Sequence, residues 1–318
     1  MVKFTIGIPA YKGEFFQACL ASVLAQTYSA YEVIILNDKS PYDIKSIVDH
    51  FQSSRIRYYE NDVNVGGVNL VDNWNKILEL ARGEFITIMG DDDLLDAKYL
   101  STFNEMTEKY SHVNVFHCRS KVINEHDEVI RLTPSWPEHE YVYDAIWHRL
   151  NEYREQYISD FLYRVSSLRK VGGFFKLPLA WGSDDISFFQ AAKSHGVVHT
   201  NKPVFSYRRN MYSISSSGNV FEKMRSNLMY MDWLRGFLAD KPIDEDQLYT
   251  FKDLKCNLSR FDHKRKVYVL TMSMAVRPLY FFKEWIKQRK RFGLSLNQVI
   301  LGLFNAYKMR KAAKQFNK

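Results

Sequence analysis

The chain has 318 residues, of which 46% are apolar, 25% charged and 15% aromatic, ordinary globular usage with enough apolar side chains for a sizeable core. A disordered chain, a collagen-like fibre and a small disulfide scaffold are excluded. Lys and Arg number 44 against 36 Asp and Glu, a net charge of +8 that points to an anionic partner. From Arg277 onward 11 basic residues face a single acid, Glu284, so this stretch carries +10 and everything before it carries −2. The three cysteines, Cys19, Cys118 and Cys256, have no spacing that suits a zinc site or a disulfide framework, and reduced thiols in a reducing, cytoplasmic compartment are expected. The opening Met1–Pro9 is too short and too early interrupted for a signal peptide. Nor does any segment reach the roughly 20 apolar residues of a membrane span; Val267–Ala275 runs into Val276-Arg277-Pro278.

In chain order, β-branched and aromatic runs predict strands at Phe4–Ile8, Glu32–Leu36, Arg57–Glu60 and Phe85–Met89. Helices are predicted between them at Phe15–Ala25, Tyr42–Phe51 and Val68–Ala81. In the last, Leu70, Trp74, Ile77, Leu78 and Ala81 share one face, and Gly83 reads as the cap that closes it. Gly66-Gly67 reads as a turn. This alternation implies repeated βαβ units and a parallel sheet. From Val113 to Arg209 the regularity fades, and antiparallel members are expected to join. The Ser-rich stretch Ser213–Asn219 reads as a loop or domain boundary with helix-initiating capacity, and Phe221–Lys318 as almost wholly helical. Two domains follow, 1–218 and 219–318.

Parallel sheets bind ligands outside the carboxyl ends of their strands. The segments there are Pro9–Lys12, Asn37–Ser40, Asn61–Gly67 and Gly90–Asp93, all polar, turn-forming or acidic. Asp91, Asp92 and Asp93 repel one another, and burying them together is costly unless a cation neutralises them; Mg²⁺ or Mn²⁺ completed by substrate phosphates is one economical explanation. Alternation along an extended segment would aim Asp91 and Asp93 at a shared ligand and Asp92 elsewhere. The triplet also suits a solvated turn with Asp92 or Asp93 capping the next helix. A second acidic pair, Asp184-Asp185, follows Gly182-Ser183 into a helical pattern. It suits N-capping or, because neighbouring carboxylates raise each other's proton affinity, a general base. Trp181 and Tyr207 offer either core or an aromatic platform for a sugar ring. No G-x-G-x-x-G follows the first strand, no P-loop is present and no G-x-S-x-G elbow occurs, so dinucleotide oxidoreductases, P-loop kinases and serine hydrolases lose their main support.

Taken together, Gly7–Lys12, Leu20–Tyr28, Glu32–Asp38, Asn64-Val65-Gly66, Asn73, Ala81–Ile86, Asp91–Asp93, Gly172-Gly173-Phe174 and Gly182–Asp185 resemble, in order, the inverting family 2 glycosyltransferases, over residues 3 to 215. The resemblance implies a GT-A, Rossmann-like α/β fold: a mixed, mainly parallel sheet flanked by helices, here followed by the C-terminal helical region. Asp91–Asp93 looks like the family's D-x-D motif. By this resemblance Pro9, Tyr11 and Asp38 would line the nucleoside pocket, Asp38 meeting the base, with Asn64 or Asn73 nearby. Asp91 would contact the ribose or metal, and Asp93 would ligate the Mn²⁺ or Mg²⁺ bridging the diphosphate. Asp184, or failing it Asp185, would deprotonate the acceptor hydroxyl, and Arg208 would contact the diphosphate or remain a surface charge. The sequence departs from the family pattern at Lys12, where Asn is frequent, in Asn37-Asp38-Lys39-Ser40, where an Asp-Asp-Gly-Ser type sequence is common, and in Ser183-Asp184-Asp185, which stands where Glu-Asp is usual.

The implied partners are a nucleotide-sugar donor, UDP-sugar foremost, and a glycan or lipid-linked acceptor of surface-polysaccharide assembly. Gln288–Phe292 is similar to the Q-x-x-R-W motif of processive synthases but ends in Phe and lies in the basic tail, so single-sugar transfer is expected. In that tail Ile300, Leu301, Leu303, Phe304 and Tyr307 accompany Lys308, Arg310, Lys311 and Lys314, a composition that suits either an interfacial helix on an anionic membrane or packing on the protein body. No nucleic-acid motif accompanies the charge. The competing readings are a sugar-phosphate nucleotidyltransferase, which would want a Gly-rich basic loop after the first strand, and a non-catalytic carbohydrate-binding or membrane-scaffold protein.

Overall fold

A computed structural model describes residues 2–209 and 219–316. The chain divides into two compact units, residues 1–176 with 183–216, and residues 177–182 with 217–318. In the first, β1 (Phe4–Ala10) lies between β2 (Tyr31–Asn37) and β4 (Phe85–Ile88), with β3 (Ile56–Glu60) beyond β2, all parallel. Helices α1 (Phe16–Leu24), α2 (Ile44–His50) and α3 (Gly66–Leu80) follow the first three strands. Almost every residue of β1 and β2 is buried, the mark of strands covered on both faces. Phe4, Ile6, Ile8, Phe16, Leu20, Val33, Ile35 and Phe85 belong to one core cluster.

The later strands bring in the antiparallel members. β9 (Phe161–Arg164) inserts antiparallel between β4 and β6 (Val115–Ile123), and β10 (Val197–Arg208) runs parallel to β6. The sheet order is β3-β2-β1-β4-β9-β6-β10-β5, where β5 is Leu94–Leu95; β7 (Val129–Leu132) adds to β6 and β8 (His139–Glu140) to β10. Helices α4 (Tyr99–Lys109), α5 (Val142–Leu150), α6 (Val165–Lys170) and α7 (Ser183–Ala192) complete this unit.

The second unit is helical: α8 (Val220–Phe237), α9 (Leu248–Cys256), α10 (Leu258–Val276), α11 (Pro278–Gln288) and α12 (Leu296–Phe316). Its core contains Met224, Val269, Leu270, Met274, Trp285, Phe292 and Val299. The indole of the buried Trp285 donates to Ser273 Oγ at 2.9 Å. Phe292, the last residue of the near-match to the processive motif, is a core residue against Trp285, with ring centroids 5.7 Å apart. No helix among the described residues is long and apolar enough to cross a membrane. The Ser-rich stretch up to Gly218 lies outside the described residues, but Asn219 does initiate a helix: its side chain accepts from the N–H groups of Phe221 (2.9 Å) and Glu222 (3.4 Å).

Two glycine expectations change. Gly66 and Gly67 form the first turn of α3 rather than a separate turn, and the helix has a non-helical break at Asn69 (φ −122°, ψ 45°). Gly83 is not the cap of α3, which ends as Ala81 turns extended (φ −63°, ψ 130°). A Cβ at Gly83 would stand 2.7 Å from Thr5 N and 2.8 Å from Phe4 C, so the residue is small because the chain passes against β1. Gly83→Ala is therefore expected to lower stability by about 1–3 kcal/mol in urea unfolding, since the clash is with backbone that cannot swing aside.

Candidate active site

The turns after β1, β2 and β4 open on the same carboxyl edge of the sheet. At the turn after β2, Asp38 is 2% exposed and its carboxylate takes four donors: Asn61 Nδ2 (2.8 Å) and Val65 N (3.0 Å) on Oδ1, Gly66 N (2.7 Å) and Asn64 Nδ2 (3.1 Å) on Oδ2. Asp38 thus caps α3 with a negative charge where the helix presents unpaired N–H groups. A Cβ at Gly66 would come 2.6 Å from Asp38 Oδ2, which explains the glycine. Asn73 accepts from Asn61 Nδ2 at 2.8 Å, while its own Nδ2 is buried and has no hydrogen-bond partner among the described residues. Asp38, Asn64 and Asn73, expected around a nucleoside, are thus one hydrogen-bonded cluster. Tyr11, 45% exposed, emerges beside them on the turn after Pro9, its carbonyl taking Ser40 Oγ at 2.6 Å.

The acidic triplet lies at the next turn, and all three carboxylates are buried. Asp91 Oδ2 accepts from the N–H groups of Tyr11 (2.8 Å) and Lys12 (2.7 Å), tying β4 to β1. Lys12 Nζ meets Asp92 Oδ2 at 2.6 Å. Asp93 Oδ1 accepts from Arg208 N at 2.8 Å. Burial, then the charge of Asp92, pushes Asp91 up to about 6 and Asp93 well above the carboxylate range. The capping alternative does not hold, because the triplet is buried and α4 starts only at Tyr99.

Arg208 is neither a surface charge nor an open arm. At 2% exposure its Nε donates to Asp92 O (2.7 Å) and Nη1 to Asn124 O (2.9 Å), Nη2 pairs with Asp127 (2.6 Å), and the guanidinium lies 4.2 Å from the centroid of the Phe15 ring. It braces the triplet from behind.

Asp91 Oδ1 and Asp93 Oδ2 keep no protein donor among the described residues. Two hard oxygens of buried carboxylates, left without a protein donor, fit a divalent cation that draws its remaining ligands from a phosphate-bearing molecule. A closed cage is absent: no three His, Cys, Asp or Glu side chains among the described residues could hold a metal by themselves.

The second acidic pair is in the first turn of α7, not at its cap. Gly182, at φ +89°, makes the preceding turn. Asp185 is 1% exposed and its Oδ1 is gripped by Arg149 Nε and Gln156 Nε2, both at 2.8 Å. Asp184 is half-buried, and burial followed by the charge of Asp185 raises it to about 7, against the pull of Arg149. A carboxylate with that proton affinity suits transfer near neutral pH.

Sequence reasoning missed the segment Glu155–Asp160, which reaches both acid clusters. Gln156 holds Asp185, Ser159 Oγ accepts from Gly90 N at 3.0 Å, and the Tyr157 ring stacks on Tyr207 at 3.8 Å. Nothing local marks these residues, nor Arg149. Of the two aromatics singled out as a platform, Tyr207 is in this stack, whereas Trp181 belongs to the helical unit, with Lys223 Nζ 4.8 Å from its ring centroid.

The family model described as Glycosyl transferase family 2 matches residues 5–172, more than half of the chain, taking in Asp38 and the Asp91–Asp93 turn but neither Asp184-Asp185 nor Arg208. The chain belongs to that family. Among curated family relatives, the GalNAc(5)-diNAcBac-PP-undecaprenol beta-1,3-glucosyltransferase of Campylobacter jejuni is 33% identical over 117 residues, 36% of this chain and 37% of that one. The UDP-Glc:alpha-D-GlcNAc-diphosphoundecaprenol beta-1,3-glucosyltransferase WfgD of Escherichia coli is 29% identical over 121 residues, 38% of this chain and 46% of that one. The chain thus spans less than half the length of either. Among solved structures, S. aureus TarS 1-349 in complex with UDP-GlcNAc superposes with a TM-score of 0.56 at 14% identity, over 99% of this chain and 92% of that one. The mannosyltransferase PcManGT of Pyrobaculum calidifontis, in complex with GDP-Man and Mn²⁺, gives 0.54 at 14% identity over 97% and 86%. These likenesses establish the GT-A-type fold.

The cap makes Asp38 a stability residue of this family 2 chain. Asp38→Asn puts an N–H₂ against a donor and is expected to cost about 1–3 kcal/mol in urea unfolding, with faster hydrogen exchange at Val65 and Gly66.

Proposed function

We propose that the chain is an inverting, non-processive glycosyltransferase. It moves one sugar from a nucleoside diphosphate donor, UDP-sugar foremost, to a hydroxyl of a glycan or lipid-linked acceptor in surface-polysaccharide assembly. The observation that carries this reading is the buried Asp91–Asp93 triplet at the carboxyl edge, tied to the β1 turn yet keeping open oxygens. Support comes from the family, from the UDP-GlcNAc that a structural neighbour binds, and from two relatives whose names place their acceptor sugar on a diphosphoundecaprenol or PP-undecaprenol. A lipid-linked acceptor would have the enzyme working from the cytoplasm at the inner face of a membrane.

In this reading Pro9, Tyr11, Asn64 and Asn73 line the nucleoside side, and Asp38 holds that wall in place through α3. Asp93, with Asp91, would hold Mn²⁺ or Mg²⁺, which when bound supplies positive charge to the oxygens of the departing diphosphate. Arg208 and Lys12 fix the carboxylates that would do so. Asp184 takes the proton of the acceptor hydroxyl as that oxygen bonds to the anomeric carbon and the bond from that carbon to the diphosphate oxygen breaks. The displacement comes from the opposite face, so the configuration inverts and no covalent enzyme intermediate forms. Asp185, locked by Arg149 and Gln156, keeps Asp184 proton-hungry by its charge.

Calorimetric titration of UDP, GDP, CDP and dTDP, each with Mn²⁺ and with EDTA, tests the donor site. One nucleotide is expected to bind in a metal-dependent way to the wild type and not to Asp93→Ala; failure of all four at millimolar concentration would favour the scaffold reading. Asp184→Asn is expected to leave nucleotide affinity unchanged and to slow transfer about 10²- to 10⁴-fold. A base must be unprotonated to act, so with Asp184 raised to about 7 the transfer rate should fall as pH drops through that value. Wild-type transfer by Asp184→Asn would move the role to Asp185.

A further inference from the structure

Helix α12 carries two apolar faces, and the fold uses one. Val299 and Ala306 are buried in the core cluster of the helical unit, with Leu303 packed against it. A Cβ on Gly302 would lie 2.6 Å from Leu270 Cβ, so α12 presses closely on α10. A quarter-turn around the same helix, Leu296, Ile300, Phe304 and Tyr307 recur at steps of four, four and three residues and stand 48%, 49%, 53% and 67% exposed. The same spacing continues into the exposed Lys311, and Lys308 Nζ lies 4.4 Å from the Phe304 ring centroid. The sequence of α12 contains no acid, and Glu284, the single acid after Arg277, is already paired with Lys287 at 2.7 Å.

We infer that this outer stripe docks on a lipid bilayer bearing anionic headgroups, Phe304 and Ile300 entering the interface while Lys308 and Lys311 meet the lipid charge. Charge complementarity selects that occupant. A second copy would bring two +10 segments and the same lysines face to face, a like-charge contact with no acid on α12 to relieve it. A bilayer accepts large apolar side chains and their cationic rim together. The inference rests on the glycosyltransferase reading only for its use, which is to bring the enzyme to a lipid-linked acceptor.

Flotation of the full chain with vesicles tests it, comparing pure phosphatidylcholine with the same lipid containing about a third phosphatidylglycerol, a charge density at which basic clusters bind. Binding at least about 10-fold stronger to the anionic vesicles is expected, weakening as salt is raised. Ile300→Ser with Phe304→Ser should abolish it, and Lys308→Glu with Lys311→Glu should do so independently. These positions are exposed, so the thermal midpoint serves as the folding control for both pairs. Absent or equal binding to the two vesicles, or unchanged binding by both double variants, would overturn the inference. So would a concentration-dependent dimer in sedimentation velocity that either pair dissolves, or tight capture of an acidic polypeptide such as polyglutamate with no vesicle binding. Nucleotide titration on the same samples separates the outcomes, because a failed donor site leaves flotation intact and a failed membrane surface leaves nucleotide binding intact.

Discussion

Three carboxylates in a row, taken out of water, set the terms for the first unit. Desolvation and mutual repulsion drive Asp91 and Asp93 toward protonation, and the fold opposes this with donors from separate parts of the chain. The N–H groups of Tyr11 and Lys12 come from the turn after β1, the Lys12 ammonium from the same turn, and both the N–H and the guanidinium of Arg208 from the end of β10. Those parts lie on different strands of one sheet, so register across the sheet and the charge state of the triplet depend on each other.

The same logic of satisfied charge explains the neighbours. Asp38 spends its lone pairs on the amino end of α3, and the glycine at 66 is what lets those N–H groups come close enough. Asp185 spends one carboxylate oxygen on Arg149 and Gln156, leaving Asp184 as the member of that pair with a proton affinity near neutrality. In the triplet Asp92 is paired with Lys12 while Asp91 and Asp93 each accept through one oxygen only, and in the second pair Asp185 is the member held by side chains. Segment Glu155–Asp160 ties the two clusters together through Gln156 and Ser159, so the separation of the two acids is held by hydrogen bonds rather than by a flexible connection.

The helical unit answers a different constraint. Its core draws on α8, α10, α11 and α12 together with Phe292 and Leu294 between the last two, and α12 has apolar residues to spare once its inner face is used. Composition alone allows the tail either packing or an interfacial role; in the fold Leu303 packs, whereas Ile300, Leu301, Phe304 and Tyr307 are exposed.

The sequence by itself determined the order of the early strands and helices, because hydrophobic period, β-branching and glycine placement are local signals. Its motifs also located the acidic turns, since residues outside the carboxyl ends of parallel strands converge wherever such a sheet forms. Tertiary structure alone decided what each polar residue does. Arg208 lies 115 residues from Asp93 in the chain, so no spacing rule could say that it braces the triplet rather than standing free. Gly83 looked like a cap because helix ends favour glycine, but its smallness is owed to a strand some 80 residues earlier. Asp184 and Asp185 are adjacent and chemically identical; the fold makes them different by burying Asp185 and bringing Arg149 and Gln156 onto its carboxylate.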